Sequence, residues 1–357
     1  MKKQILVLVF FVLAGLANVS DSYGQSVAGS APRPLTCTDD ALHPLAGKEY
    51  TYTVAATPTG GQYTWWATKD SEFIKTVAGT TTNNLSTKLA SGTDLTAVSA
   101  NYGAAGATDN VKITWSTSVL AGTSYKSTVS PKTPTFVAVY YTPLSGSCAD
   151  NLKVFELDPK NGFTVDILNM LNTAKTPLAY DAAESQCFAN VSSAKYNAGK
   201  MDYEYGVNTI YYEVVAANFS GSWTPTFKLE GLDAKQTAVI QWDYTTAFTA
   251  PVTVTDQVAS ATAVNTSVTN TSGGVSIYVK VTITNNSFEG LADKVIKLSV
   301  DGKNSANELD VVNTTCIAPA AIDYADFAEQ TLKLRPTVVE GTTSTITPNV
   351  GIVPKNP

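Results

Sequence analysis

The sequence predicts an all-β protein built as two tandem β-sandwich domains related by internal duplication. Three observations predict it. Short stretches alternate apolar and polar residues with period two, and Gly, Pro and Asn clusters separate them. Helical periodicity is weak and confined to Ile167 to Thr173. Finally, the stretch from Ala149 to Asn161 is restated from Ala292 to Asn304: Ala149, Asp150, Asp158, Lys160 and Asn161 recur as Ala292, Asp293, Asp301, Lys303 and Asn304. Leu152, Phe155 and Leu157 are matched by Val295, Leu298 and Val300, so both copies read as a strand followed by a turn.

The elements follow in order. Residues 1–25 read as a signal peptide: Lys2 and Lys3 precede an apolar run from Ile5 to Leu16, and Ser22-Tyr23-Gly24 offers small residues for cleavage before Gln25. Residues 26–36, mostly small residues and prolines, read as a linker, and the first sandwich is expected over 37–170. There Tyr50, Tyr52 and Val54 alternate with Thr51, Thr53 and Ala55, and after the turn at Pro58 to Gly61 the stretch Gln62 to Thr68 gives a second strand, expected to form a hairpin with the first. Val111, Ile113 and Trp115 mark another strand, followed by Phe136 to Tyr141, Leu152 to Leu157 and a closing strand from Phe163 to Leu168. A linker is expected over 171–186 and the second sandwich over 187–335. In it Ile210 to Ala216 alternate, Ala238, Ile240 and Trp242 echo Val111, Ile113 and Trp115, and Ile277 to Ile283 echo Phe136 to Tyr141. The span between Trp242 and Ile277 is an insertion of undecided form. Residues 336–357, rich in Thr, Pro and Val, read as an extended tail able to add as a strand to a neighbour's sheet edge.

The 357 residues are enough for two separate cores. Charged residues make up 15% of the chain, against about 25% in an average soluble protein, and the net charge of -6 with no Lys/Arg cluster excludes a nucleic-acid surface. After the signal peptide no stretch is long and apolar enough to span a bilayer. Expected localisation is therefore extracellular or cell-surface. Cys37, Cys148, Cys187 and Cys316 are an even set in an exported chain, which favours disulfides. Four cysteines allow three pairings; their positions favour Cys37 with Cys148 and Cys187 with Cys316. Because Cys148 aligns with Leu291 in the repeat, the second bridge would not be a copy of the first.

The first half carries a recognisable series: an early cysteine at Cys37, then Tyr50-Thr51-Tyr52-Thr53-Val54, Tyr63-Thr64-Trp65, Val111-Lys112-Ile113-Thr114-Trp115 and Gly146-Ser147-Cys148. In this it resembles the PKD-like and Ig-like modules of exported Bacteroidetes surface proteins, over about residues 37–157. The resemblance implies a sandwich fold and pairing of the early and late cysteines, in agreement with the bridge favoured above. It does not extend to the second half, which lacks the Tyr-x-Trp strand and carries the insertion.

Chemistry is sparse. His43 is the sole histidine and sits in an Ala-Leu-His-Pro-Leu stretch, so a Ser-His-Asp triad and a zinc site are both disfavoured. The carboxylate candidates, Asp39-Asp40 and Glu230 with Asp233, fall on loops and turns, where carboxylates are usually solvated. Asp301, Glu308 and Asp310 have the oxygen-rich look of a calcium loop but lack its alternating ligand order, and a turn explains them better. No catalytic residue, cofactor or metal is assigned. The best binding lead is Trp66: if Trp65 faces the core, Trp66 points outward with Thr64 and Thr68, as a sugar-stacking platform, a subunit contact or an aromatic covered by the Gly79 to Gly106 region would. Tyr211, opposite in facing to Tyr212, is a weaker lead of the same kind. The expectation is a secreted structural or adhesive protein of an extracellular surface, matrix or fibre, not an enzyme. It would self-associate through sheet edges and the tail or bind other surface proteins. The alternative is a carbohydrate-binding protein using exposed aromatics.

Overall fold

Tyr50 and Tyr52, alternating with Glu49, Thr51 and Thr53, bury one face of the strand β1 (Glu49–Thr53) and leave the other in water. A computed structural model describes this and the rest of residues 29–71, 73–77, 80–83, 85–123, 133–144, 149–254, 258–260, 262–314 and 317–338. Strand β1 pairs with β7 (Asn110–Trp115), and β7 with β5 (Leu95–Val98), giving a three-stranded antiparallel sheet. Opposite lies a sheet in the order β6 (Ala105–Gly106), β2 (Gln62–Thr68), β8 (Phe136–Thr142), β9 (Asn151–Glu156). Tyr52, Trp65, Val111, Ile113, Trp115 and Val137 fill the space between them. Strands β3 (Ile74–Val77) and β4 (Thr80–Asn83) form a separate hairpin, and a short helix α1 (Thr117–Ala121) starts from an N-cap at Ser116. Contrary to expectation, β1 and β2 are not a hairpin. Each carries an inward aromatic row, and the rows meet across the core instead of side by side.

The second sandwich pairs two six-stranded sheets. One runs β10 (Thr164–Asn169), β13 (Lys200–Ala217), β19 (Val275–Asn286), β15 (Thr237–Asp243), β16 (Val252–Val254), with β12 (Val191–Asn197) also on β13. The other runs β11 (Glu184–Cys187), β21 (Asp326–Lys333), β20 (Lys294–Asn304), β14 (Ser222–Glu230), β17 (Val258–Ser260), with β18 (Val264–Asn265) also on β14. All these pairs are antiparallel except β11 with β21. Val214, Phe227, Val279, Leu298 and Val300 belong to their common core. The insertion after Trp242 thus supplies edge strands to both sheets.

Several sequence expectations are corrected. The strand from Phe163 to Leu168 does not close the first sandwich: β10 pairs with β13, and Val165 and Ile167 enter the second core. Residues 171–186 therefore do not join domains; they carry the chain from β10 across to β11 within the second sandwich. The stretch expected as a free linker is docked on that sandwich from Ser30 onward. Ser30 N–H and Oγ donate to the Glu213 carboxylate, Arg33 N–H donates to Asp166, and the Arg33 guanidinium grips Asp181 at 2.7 Å. The repeated motif also falls on unlike positions. Its first copy is the edge strand β9 and a crossing between sandwiches; its second is the interior strand β20, in which Asp301 to Asn304 are still strand, not turn. Alternation followed by Asp, Lys and Asn is common to many strand ends, so the echo does not by itself establish duplication.

Cys37 is disulfide-bonded, whereas Cys187 is free and exposed at the end of β11. A Cys187–Cys316 bridge is accordingly not formed. Cys148 and Cys316, like the signal peptide, lie outside the described residues.

The two sandwiches meet end to end. Thr271 N–H donates to Gly47 O, Thr117 N–H to Ser220 Oγ and Asn161 Nδ2 to Leu309 O. Gly47 needs its positive φ of 68° here, and a Cβ would strike the Phe219 carbonyl.

Candidate functional site: an open groove at one pole

Among the described residues strand β9 pairs only with β8 and β1 only with β7, so each presents an unpaired edge on the same flank of the first sandwich. Near the domain junction that flank is shut. Phe155 stacks on Trp65 at 6.4 Å and meets Tyr52 edge-on at 5.8 Å. Farther out, the chain from Thr53 to Pro58 and the start of β9 part, leaving a groove of about 530 Å³. Its floor is Val139, Tyr63 and Tyr141, the two tyrosine rings 4.9 Å apart, and its walls include Val54, Ala56, Leu152 and Phe155. Register places Asn151, Lys153 and Phe155 opposite Tyr141, Val139 and Val137, so Lys153 turns inward with Phe155, its Nζ 6.0 Å from that ring. Burial pushes the Tyr63 phenol pKa up, and the Tyr141 hydroxyl is spent on Pro58 O and Gly61 N–H. The groove is lined mainly by aromatic and aliphatic side chains, with Asn151 and the Lys153 ammonium at its wall.

At the opposite pole β12 and the first turn of β13 project as a hairpin arm. Ala198 and Gly199, both at positive φ, make its turn. Tyr196 stands opposite Met201 and Ala194 opposite Tyr203 on one apolar face, while Lys195 opposite Asp202 and Asn197 opposite Lys200 make the other face polar. Tyr196 is 75% exposed, and Met201 and Tyr203 are also in solvent. At the foot of the arm Arg335 stacks 4.0 Å from the Tyr205 ring centre, and its side chain donates to the carbonyls of Ala189, Phe288 and Glu289. The chain leaves the described region three residues later at Val338.

The residues singled out from sequence lie elsewhere. Trp66 is wholly buried, as are Thr64 and Thr68 on the same face, because the sheet's outer side is itself covered: Thr68 Oγ1 donates to Thr87 O, and Leu89 N–H to Ala67 O. It is no stacking platform. Tyr211 is half-buried, packed 5.7 Å from Phe248 with the Lys175 ammonium 5.1 Å from its ring, so its face is already occupied.

The remaining polar candidates are committed to local structure. His43 Nδ1 is 2.9 Å from Asp40, and Asp39 holds Lys48 and the Tyr50 hydroxyl. Glu230 pairs with Lys228, and Asp233 caps the turn to Gln236. Asp301 accepts from Asp323 and Asp310 from Gly302, while Glu308 accepts from Asn304. No group of three His, Cys, Asp or Glu among the described residues is arranged to hold a metal ion. No helix among them is long and apolar enough to cross a membrane.

Sequence reasoning missed both poles. Groove and arm were nonetheless signalled, by the inward Lys153 within an otherwise alternating strand and by Ala194/Tyr196 and Met201/Tyr203 flanking Ala198-Gly199.

No family model matches the sequence, and no curated protein does. Among solved structures, the N-terminal domain of PorA is 10% identical and covers 47% of this chain and 96% of its own, with a TM-score of 0.23. CfaE, the adhesive subunit of CFA/I fimbria of enterotoxigenic Escherichia coli, is 9% identical over 87% of this chain and 95% of its own, with a TM-score of 0.28. The collagen-binding domain of the Erysipelothrix rhusiopathiae surface protein RspB is 6% identical over 81% and 90%, with a TM-score of 0.17. Scores of this size carry no functional argument.

Proposed function

We propose that this chain is an exported structural or adhesive protein of an extracellular surface, matrix or fibre, and that it self-assembles through its sheet edges and its C-terminal segment. The observation that carries this reading is the groove between the chain from Thr53 to Pro58 and the strand β9, whose outer edge is unpaired among the described residues. Free strand edges beside apolar side chains form a template for an added strand, and a long-lived monomer usually blunts or covers them. His43, Asp39 and Glu230 are engaged in ion pairs and Asp233 in a turn, which supports a binding role over a catalytic one. Light scattering and negative-stain microscopy on the chain from Gln25 test it. Regular assemblies that grow with concentration are expected; a monomer at every concentration would contradict the proposal.

A second reading, carbohydrate binding, is favoured by the Tyr63 and Tyr141 pair beside Asn151 and Lys153 in the same groove. It no longer involves Trp66. A glycan array run with wild type and Lys153→Ala checks it: binding that Lys153→Ala abolishes would support it.

A further inference from the structure

The groove and the exit of the chain lie at opposite poles. Strand β9 runs from the groove at Asn151 toward the domain junction, where Asn161 makes its bond to Leu309. Strand β13 runs from the arm toward the same junction, where Phe219 receives the Thr271 hydroxyl. Arg335, clamped beside Tyr205, is therefore separated from the junction by the β13 stretch from Tyr205 to Ala217, about 40 Å at 3.3 Å per residue. The stretch from Gly47 to the groove wall at Thr53 adds roughly 20 Å.

Resting on the self-assembly reading, we infer that the groove is the docking site for residues 339–357 of a second copy of this chain. Residues 339–357 reach at most about 65 Å when fully extended. A segment that spends its length reaching its own groove has none left to fill it, so the donor is another molecule. The chemistry agrees. Thr, Val and Ile dominate the segment, which carries a single Glu and a single Lys. Val350 and Ile352, two apart around Gly351, present one apolar face when extended. The edge of β9, unpaired among the described residues, supplies main-chain partners, and Val54, Tyr141 and Phe155 the apolar contacts. Donor and acceptor surfaces differ, so the contact is head-to-tail and builds an open chain of molecules rather than a closed dimer.

The test uses full-length chains. A fluorescent peptide of residues 339–357 is titrated against the wild-type protein, against Ala56→Trp, which plugs the groove, and against Asn151→Trp, which obstructs its rim from an exposed position. Saturable binding is expected, weakened at least tenfold by either substitution, and absent with a scrambled peptide. Ala56→Trp and the double variant Val350→Asp/Ile352→Asp are each expected to stay monomeric alone and to form one-to-one dimers when mixed, since one retains the donor and the other the acceptor. Failure of the peptide to bind overturns the inference. So does assembly of each variant alone as well as wild type, in which case self-assembly survives with a different contact. A wild type that never assembles sinks the self-assembly reading, and the peptide titration still decides the groove's occupant.

Discussion

Trp66 shows what a buried aromatic contributes when it is not a ligand contact. Its side chain is sealed, and its indole N–H has no hydrogen-bond partner. Trp66→Ala is expected to cost about 3–5 kcal/mol of stability, as large core truncations do, in a urea titration, while leaving any sugar affinity unchanged; a soluble variant of wild-type stability would put the residue back at the surface. The buried acids set a pH dependence. Burial, with help from Asp166, pushes the Asp326 pKa up to about 7, and burial beside Asp301 pushes Asp310 up as well. A carboxyl with a raised pKa in the folded state binds its proton more tightly there. Its stabilisation is therefore complete below the ordinary range near 4 and is lost as pH rises through the folded value. Asp181 and Asp293, held low by Arg33 and by Leu334 N–H, act only below that window. Thermal midpoints should fall between about pH 5 and 8, and Asp326→Asn should flatten that fall; a midpoint rising over this range would refute the assignment. Cys187, being free and exposed, should react with a maleimide in the oxidised native protein, as intact-mass measurement would show; an unreactive Cys187 would mean that it is bridged.

At the scale of elements, the arm is a hairpin with little to hold it. Two strands alone are marginal in water, and from Ser193 to Glu204 no side chain is buried. Replacing Ala194 to Tyr203 with Asn-Gly, which restores a two-residue turn, should move the melting temperature by no more than about 2 °C, in line with surface changes; a collapse in stability would show that the arm packs against something. Alternation made most strands legible in advance, since Tyr50/Tyr52, Val111/Ile113/Trp115 and Ile210/Tyr212/Val214 all face cores. Partners were not legible. Period two says which side chains share a face, not which strand lies alongside, and so β1 was joined to β2 and β10 assigned to the wrong sandwich. For Trp66 alternation left three readings open, because it distinguishes two faces of a sheet but not a face in water from a covered one; coverage by the Gly79 to Gly106 region, through Thr87 and Leu89, is the one the structure shows. Arg33 gripping Asp166 and Asp181 is invisible to local pattern because its partners are more than a hundred residues away.

For the whole molecule the consequence is polarity. The groove opens at one end and the described chain finishes near the other, just after Arg335, with two sandwiches stacked between them. From β13, about 60 Å, and the roughly 20 Å of the first sandwich the long axis is on the order of 80 Å. With residues 339–357 docked in the groove of a second copy, as proposed, such a molecule would grow by addition in one direction. The measurement that tests this most directly is negative-stain microscopy of the chain from Gln25, compared with Ala56→Trp. Unbranched filaments with an axial repeat on the order of 80 Å, absent from the plugged variant, are the predicted result. Filaments of the same repeat from both proteins would contradict it.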